Sequence, residues 1–160
     1  MASAMARLQD SFRRARPPRA GDLPGTWIMI RHVMTQKFLN GHAGRDHEMF
    51  NFEGIRGDKS PGNPPDWTMA ISTTKSGRLR VKSHTVWTPT GDVSSVSFNS
   101  DGDMLFKKDY GGDSTWIYRC RAPGAASLVC VLKDHESGHG LEFRKAPASP
   151  NKQPPPAPAH

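Results

Sequence analysis

The chain is 160 residues long, 35% hydrophobic and formally +7 at neutral pH, with a mean hydropathy of -0.65. That is the length of one domain with little apolar material to spare, and no apolar run approaches the roughly 20 residues that span a bilayer. The N-terminus lacks the apolar stretch of a secretory signal, so the cytoplasm or an organelle lumen or matrix is expected.

Residues 1–22 carry five arginines against Asp10 and Asp22, a balance of +3. Met5, Leu8 and Phe12 recur at helical spacing before Pro17-Pro18, so a short amphipathic helix fits. A helix this short is marginal alone, and the segment is expected to behave as a basic N-terminal arm. From Arg144 onward three further cations face no acid, which leaves only +1 for the middle of the chain. The basic pI therefore reflects the ends.

Every Trp and Tyr lies between residues 23 and 143, so the core must lie there. Short β-type runs alternate with turn residues, predicting strands near 25–33, 49–53, 67–73, 78–87, 93–99, 103–109, 114–121, 127–133 and 140–145. Trp67, Met69 and Ile71 share one face, and Leu79 and Val81 alternate with Arg78, Arg80 and Lys82. Ser100-Asp101-Gly102 and Pro123-Gly124 read as hairpin turns. Short loops join the last five strands, so sequence neighbours should pair antiparallel. Residues 34–47 and 54–65 are the two long connections. Residues 146–160 are a Pro-rich tail. The expected organisation is an arm (1–22), an all-β domain (23–145) and a tail (146–160).

A meander of eight or nine strands suggests an up-and-down barrel. Gly25-Thr26-Trp27 resembles the Gly-x-Trp motif that opens the first strand of lipocalins and their calycin relatives. Asp109-Tyr110 is similar to that family's Thr-Asp-Tyr segment, with Lys108 in the place of Thr. The resemblance implies a lipocalin-like barrel whose floor is Trp27 covered by a late basic residue. Lys133 has the place for that role and Arg144 the chemistry. A β-trefoil is the rival, suggested by Arg31-His32-Val33 and Lys37-Phe38-Leu39, although three equivalent units are not visible.

His135-Glu136-Ser137-Gly138-His139 is a literal His-Glu-x-x-His, which on a helix would place two imidazoles on one zinc. Here Gly138 and Gly140 oppose a helix, and Ser137-Gly138 reads as a turn, so His135 and His139 are weak metal candidates in an ordinary polar loop. Cys120 and Cys130 sit symmetrically about a turn and should face each other across a hairpin. In a reducing compartment two half-buried thiols are expected. No phosphate loop, dinucleotide fingerprint, nucleophile elbow or carboxylate pair is present, so no cofactor and no enzyme are expected.

The lipocalin resemblance implies a non-catalytic protein holding a small hydrophobic molecule (lipid, pigment or isoprenoid) in its barrel. Met29, Trp67, Met69, Ile71, Leu79, Val81, Phe98 and Phe106 are the candidate lining residues. The alternative is an accessory subunit with a self-filled barrel, docked on a larger assembly or acidic surface through its basic ends. Nothing in the sequence points to sequence-specific nucleic-acid recognition, since the aromatics read as core.

Overall fold

The computed structural model describes residues 4–35, 54–56, 67–85, 88–109 and 115–147. Helix α1 (Ala4–Arg14) and a short 3-10 turn (Ala20–Asp22) precede ten strands. These are β1 (Gly25–Met34), β2 (Gly54–Arg56), β3 (Trp67–Thr73), β4 (Leu79–Thr85) and β5 (Thr88–Ser95), then β6 (Ser97–Phe98), β7 (Met104–Asp109), β8 (Thr115–Gly124), β9 (Ser127–Leu132) and β10 (His139–Lys145).

Nine strands follow one antiparallel path, β5-β4-β3-β1-β10-β9-β8-β7-β6, and β2 pairs with the end of β1. Only Val96 separates β5 from β6, so the two form almost one strand. Its first part pairs with β4 and its end with β7, which brings the two ends of the path together into a nearly closed barrel. Across the seam between β5 and β7, Ser94 Oγ donates to the Lys107 carbonyl at 3.1 Å. The meander predicted from turn spacing is thus the observed fold.

Alternation along each strand selects the interior. Trp67, Met69 and Ile71 on β3, Phe106 on β7, Tyr118 on β8 and Phe143 on β10 all belong to the inward core. In β1 the register shifts between Met29 and Arg31. That irregularity leaves Arg31 opposite Glu142 outside, and sets His32 opposite Leu141 and Met34 opposite His139 inside.

Two strands depart from the sequence reading. The strand expected at 49–53 lies outside the described residues, and Gly54–Arg56, taken for part of a long connection, is β2. Thr88–Asp92, which contains Pro89 and Gly91, belongs to β5 instead of a turn. Only one side of β5 is laddered, and a strand edge tolerates a residue without an N–H.

The N-terminal segment is not a frayed arm. Met5, Leu8 and Phe12 are buried against the outward-facing Val33, Val129 and Val131, forming a second core outside the barrel. The helix is marginal by itself, but burying each of these side chains contributes about 1.5–3 kcal/mol. Gly140 makes the approach feasible, since a Cβ there would lie 2.5 Å from Leu8 Cδ2. Beyond α1 the chain remains attached. Ala122 N donates to the Arg16 carbonyl at 2.7 Å, and Pro17 packs over Gly102.

Charge reinforces this docking. Asp103, fully buried, accepts from Arg119 at 2.7 Å and from Arg121 at 2.8 Å. Arg119 also holds Glu136 at 2.8 Å, and the guanidinium carbons of Arg119 and Arg121 lie 4.8 and 4.4 Å from the centre of the Phe12 ring. Burial alone would push the Asp103 carboxyl up. Hydrogen bonds and charge from Arg121 and Arg119 outweigh it and hold the carboxyl below its ordinary value. Burial likewise opposes the charge on Arg119, and Glu136 and Asp103 more than reverse that.

Candidate functional site

The barrel interior was the expected site, and it divides into three levels. At the floor, Trp27 donates its indole N–H to the Leu23 carbonyl at 2.8 Å. Lys145 Nζ lies 5.6 Å from the Trp27 ring centre and donates to the Asp22 carbonyl at 2.7 Å. The basic residue over Trp27 is therefore Lys145, and neither Lys133 nor Arg144. Both of those are exposed, because alternation along β10 turns Phe143 and Lys145 inward and Arg144 outward. Gly25 sits at φ +141°, and a Cβ there would lie 2.6 Å from Lys145 Cε, so the glycine leaves room for the cover. Asp109 ends β7 opposite Thr115, and Tyr110 lies outside the described residues.

At mid-barrel the aromatic side chains pack on one another. Trp67 meets Phe143 at 5.5 Å, Tyr118 at 5.6 Å and Phe106 at 6.4 Å between ring centres, all edge to face. Of the candidate lining residues, Met29, Trp67, Met69, Ile71, Val81 and Phe106 are at most 3% exposed. Leu79 is partly buried, and Phe98 is 43% exposed at the rim of the floor end, outside the packed interior. Cys120 and Cys130 face each other across β8 and β9, as expected, but they are joined as a disulfide and are not free thiols. Opposed inward positions on adjacent strands bring the two sulfurs together, a geometry that a compartment argument could not supply.

The level opposite the floor is polar. His32 Nε2 and His139 Nε2 are 2.9 Å apart, and the Tyr118 hydroxyl is 3.2 Å from the same nitrogen of His139. A neutral His139 Nε2 either accepts one of these hydrogen bonds, from His32 N–H or from the Tyr118 hydroxyl, or donates one, as the tautomers of the two rings decide. Trp116 meets the His139 ring edge to face at 5.2 Å. Lys108, opposite Trp116, is fully buried at this level, and Ser83, opposite Met69, is fully buried with no hydrogen-bond partner for its Oγ among the described residues. Sequence reasoning missed this layer. His32, Lys108 and His139 occupy alternating inward positions, but they are distant in sequence and each looks like an ordinary surface residue.

The His-Glu-x-x-His segment does not assemble. His135 lies exposed in a turn, Glu136 is paired with Arg119 outside the barrel, and His139 points inside. Its residues diverge because the stretch crosses from a turn into a strand. Among the described residues no group of three or more His, Cys, Asp or Glu side chains could hold a metal ion.

Two cavities flank the β5–β6 strand. One, of about 600 Å³, lies at the floor end and is lined by Leu79, Val96 and Phe98 with Arg78. The other, of about 440 Å³, lies along the seam and is lined by Leu105 and Ile117 with Lys107 and Lys133. No protein-family model, curated protein or solved structure matches the chain. No described helix is long and apolar enough to cross a membrane.

Proposed function

We propose that this chain is a non-catalytic binding module, a lipocalin-like barrel that fills its own interior and engages its partner from outside. The observation that carries this reading is the burial of the inward side chains. Six of the eight candidate lining residues are at most 3% exposed, covered by one another and by the other inward side chains. An eight-stranded barrel is just wide enough for its side chains to fill it, and the Trp67 cluster does so. The floor supports the lipocalin-like kinship, since Gly25, Trp27 and Lys145 stand in the relation the resemblance implies. In this account residues 4–22 are an integral flank of the barrel, and an acidic partner would meet the exposed cations of the outer surface, such as Arg144.

A carrier of a small hydrophobic molecule is the second reading. A buried hydroxyl in the barrel wall favours it, because Ser83 Oγ, without a partner among the described residues, is a group that a ligand's polar end could satisfy. Titration of the purified chain with apolar fluorescent probes separates the two. The wild type should show no saturable binding, whereas Trp67→Ala should bind a benzene-sized molecule in the dry cavity it opens. Saturable, stoichiometric binding by the wild type, with quenching of its buried tryptophans, would establish the carrier instead.

A further inference from the structure

We infer that the seam between β5 and β7 takes up an extended segment of a partner polypeptide as an added strand. This rests on the reading that the partner is engaged from outside, and it names the form in which the partner is recognised.

The seam is a ladder that stops short. Ser97 pairs with Leu105 and Phe98 with Met104. The same register would continue with Ser95 opposite Lys107 and Val93 opposite Asp109, yet among the described residues no ladder joins β5 to β7. In antiparallel sheets, successive residues of a strand bond to opposite neighbours. Asn99 N donates to the Asp103 carbonyl, and Lys133 N to the Ile117 carbonyl. Both bonds fix the alternation on β7, so that Lys107 and Asp109 turn their backbone groups away from β8 and into the seam. Val96 N donates to the Leu79 carbonyl, so Val93 and Ser95 turn theirs away from β4 and into the same seam. In place of a rung, Ser94 Oγ donates to the Lys107 carbonyl at 3.1 Å.

The cavity of about 440 Å³ lies where the ladder stops, and its lining runs from Val93, Leu105 and Ile117 to the inward Phe106. Val93 pairs with the outward Lys82 and is 53% exposed, more than any other large hydrophobic side chain among the described residues. Leu105 and Ile117 are half-buried on the same outer face. Backbone donors and acceptors that repeat every second residue, about 6.8 Å apart, are matched by another extended polypeptide, and apolar ground beside them receives its side chains. Two facing edges of this kind select a strand over a nucleic acid or a lipid, neither of which offers alternating N–H and C=O groups at that spacing. They also select a free segment over a second copy of the chain. Each copy's edges lie within the wall of its own nearly closed barrel, where the edge of another folded sheet does not enter.

The test is selection of octapeptides from a random phage-displayed library on the immobilised full chain, followed by fluorescence anisotropy of the most enriched peptide. Enriched peptides should be poor in proline and rich in β-branched residues. N-methylation of alternate peptide amides should abolish binding in one register and change it less than about twofold in the other, because only one set faces the ladder. Ser95→Pro removes an N–H directed into the seam and should weaken binding about fivefold or more. Val93→Ser, which leaves the backbone intact, should weaken it about threefold or more. Thermal melts of Val93→Ser matching the parent exclude misfolding as the cause. Bound peptide should also slow hydrogen exchange of the Val93, Ser95 and Lys107 amides about tenfold or more. The inference fails if no octapeptide is enriched, if the two N-methylated registers bind alike, or if binding and amide exchange are indifferent to the seam. A small molecule found inside the barrel would instead overturn the self-filled interior and leave this measurement standing.

Discussion

Asp103 shows how much can hang on one carboxylate. Itself without solvent exposure, it sits beneath two half-buried guanidinium groups, so Asp103→Asn leaves Arg121 without its counter-charge and Arg119 with Glu136 alone. The loss should be about 3–5 kcal/mol in denaturant melts at neutral pH. The pH dependence follows from the direction of the shift. Because the folded carboxyl is held below its ordinary value, its stabilisation is complete above the unfolded value of about 4 and fades as pH falls through the folded one. The gap between wild type and Asp103→Asn should therefore shrink on acidification below pH 4 or so. A constant gap would mean that the pair contributes nothing specific.

The floor tests a different residue-scale point. Trp27→Ala should cost about 3–5 kcal/mol, as for other emptied aromatic core sites. Lys145→Ala should be clearly destabilising, whereas Lys133→Ala and Arg144→Ala should stay within about 0.5 kcal/mol of the parent. The sequence motif located Trp27 but not its cover. The choice between Arg144 and Lys145 depends on where β10 is in its alternation, and that is set by the pairing of Trp27 with Lys145 across the barrel. The cysteines are a parallel case, with their facing positions legible from the turn between them and their bonding not.

At the scale of elements, the strands of the last half of the chain were legible because each is bounded by a turn of definite chemistry, such as Ser100-Asp101-Gly102. Gly102 adopts φ +85° there, and Asn99 Oδ1 accepts from the Asp101 and Asp103 amides at 2.9 Å. The start of β5 was not legible, because Pro89 and Gly91 carry turn signals that a one-sided ladder overrides. For α1 the apolar stripe was visible, but its target was not. Val129 and Val131 belong to a β9 that is buried on both faces, and a strand apolar on both sides signals a cover without naming it. Leu8→Ala should cost about 2–5 kcal/mol. Gly140→Ala should cost about 1–3 kcal/mol by overpacking, and less in a Leu8→Ala background, where the obstructing side chain is gone. Strict additivity in that cycle would show that α1 does not rest on Gly140.

For the whole molecule, two cores share one wall. Leu128, Cys130 and Leu132 face the barrel interior, and Val129 and Val131 face α1. Removing residues 1–15 should therefore lower the melting temperature substantially, in contrast to the near-neutral truncation expected of a free arm. The same arrangement explains why a chain of only 35% hydrophobic residues can fold. Its apolar side chains are concentrated on these two faces. That division underlies the central claim, that the barrel is a packed core and recognition lies outside it. Native mass spectrometry of the full chain, purified gently from cells without added ligand, tests it most directly. The account predicts the bare polypeptide mass, less the two hydrogens of the disulfide. A stoichiometric adduct, released by organic solvent and recovered as an apolar small molecule, would contradict it.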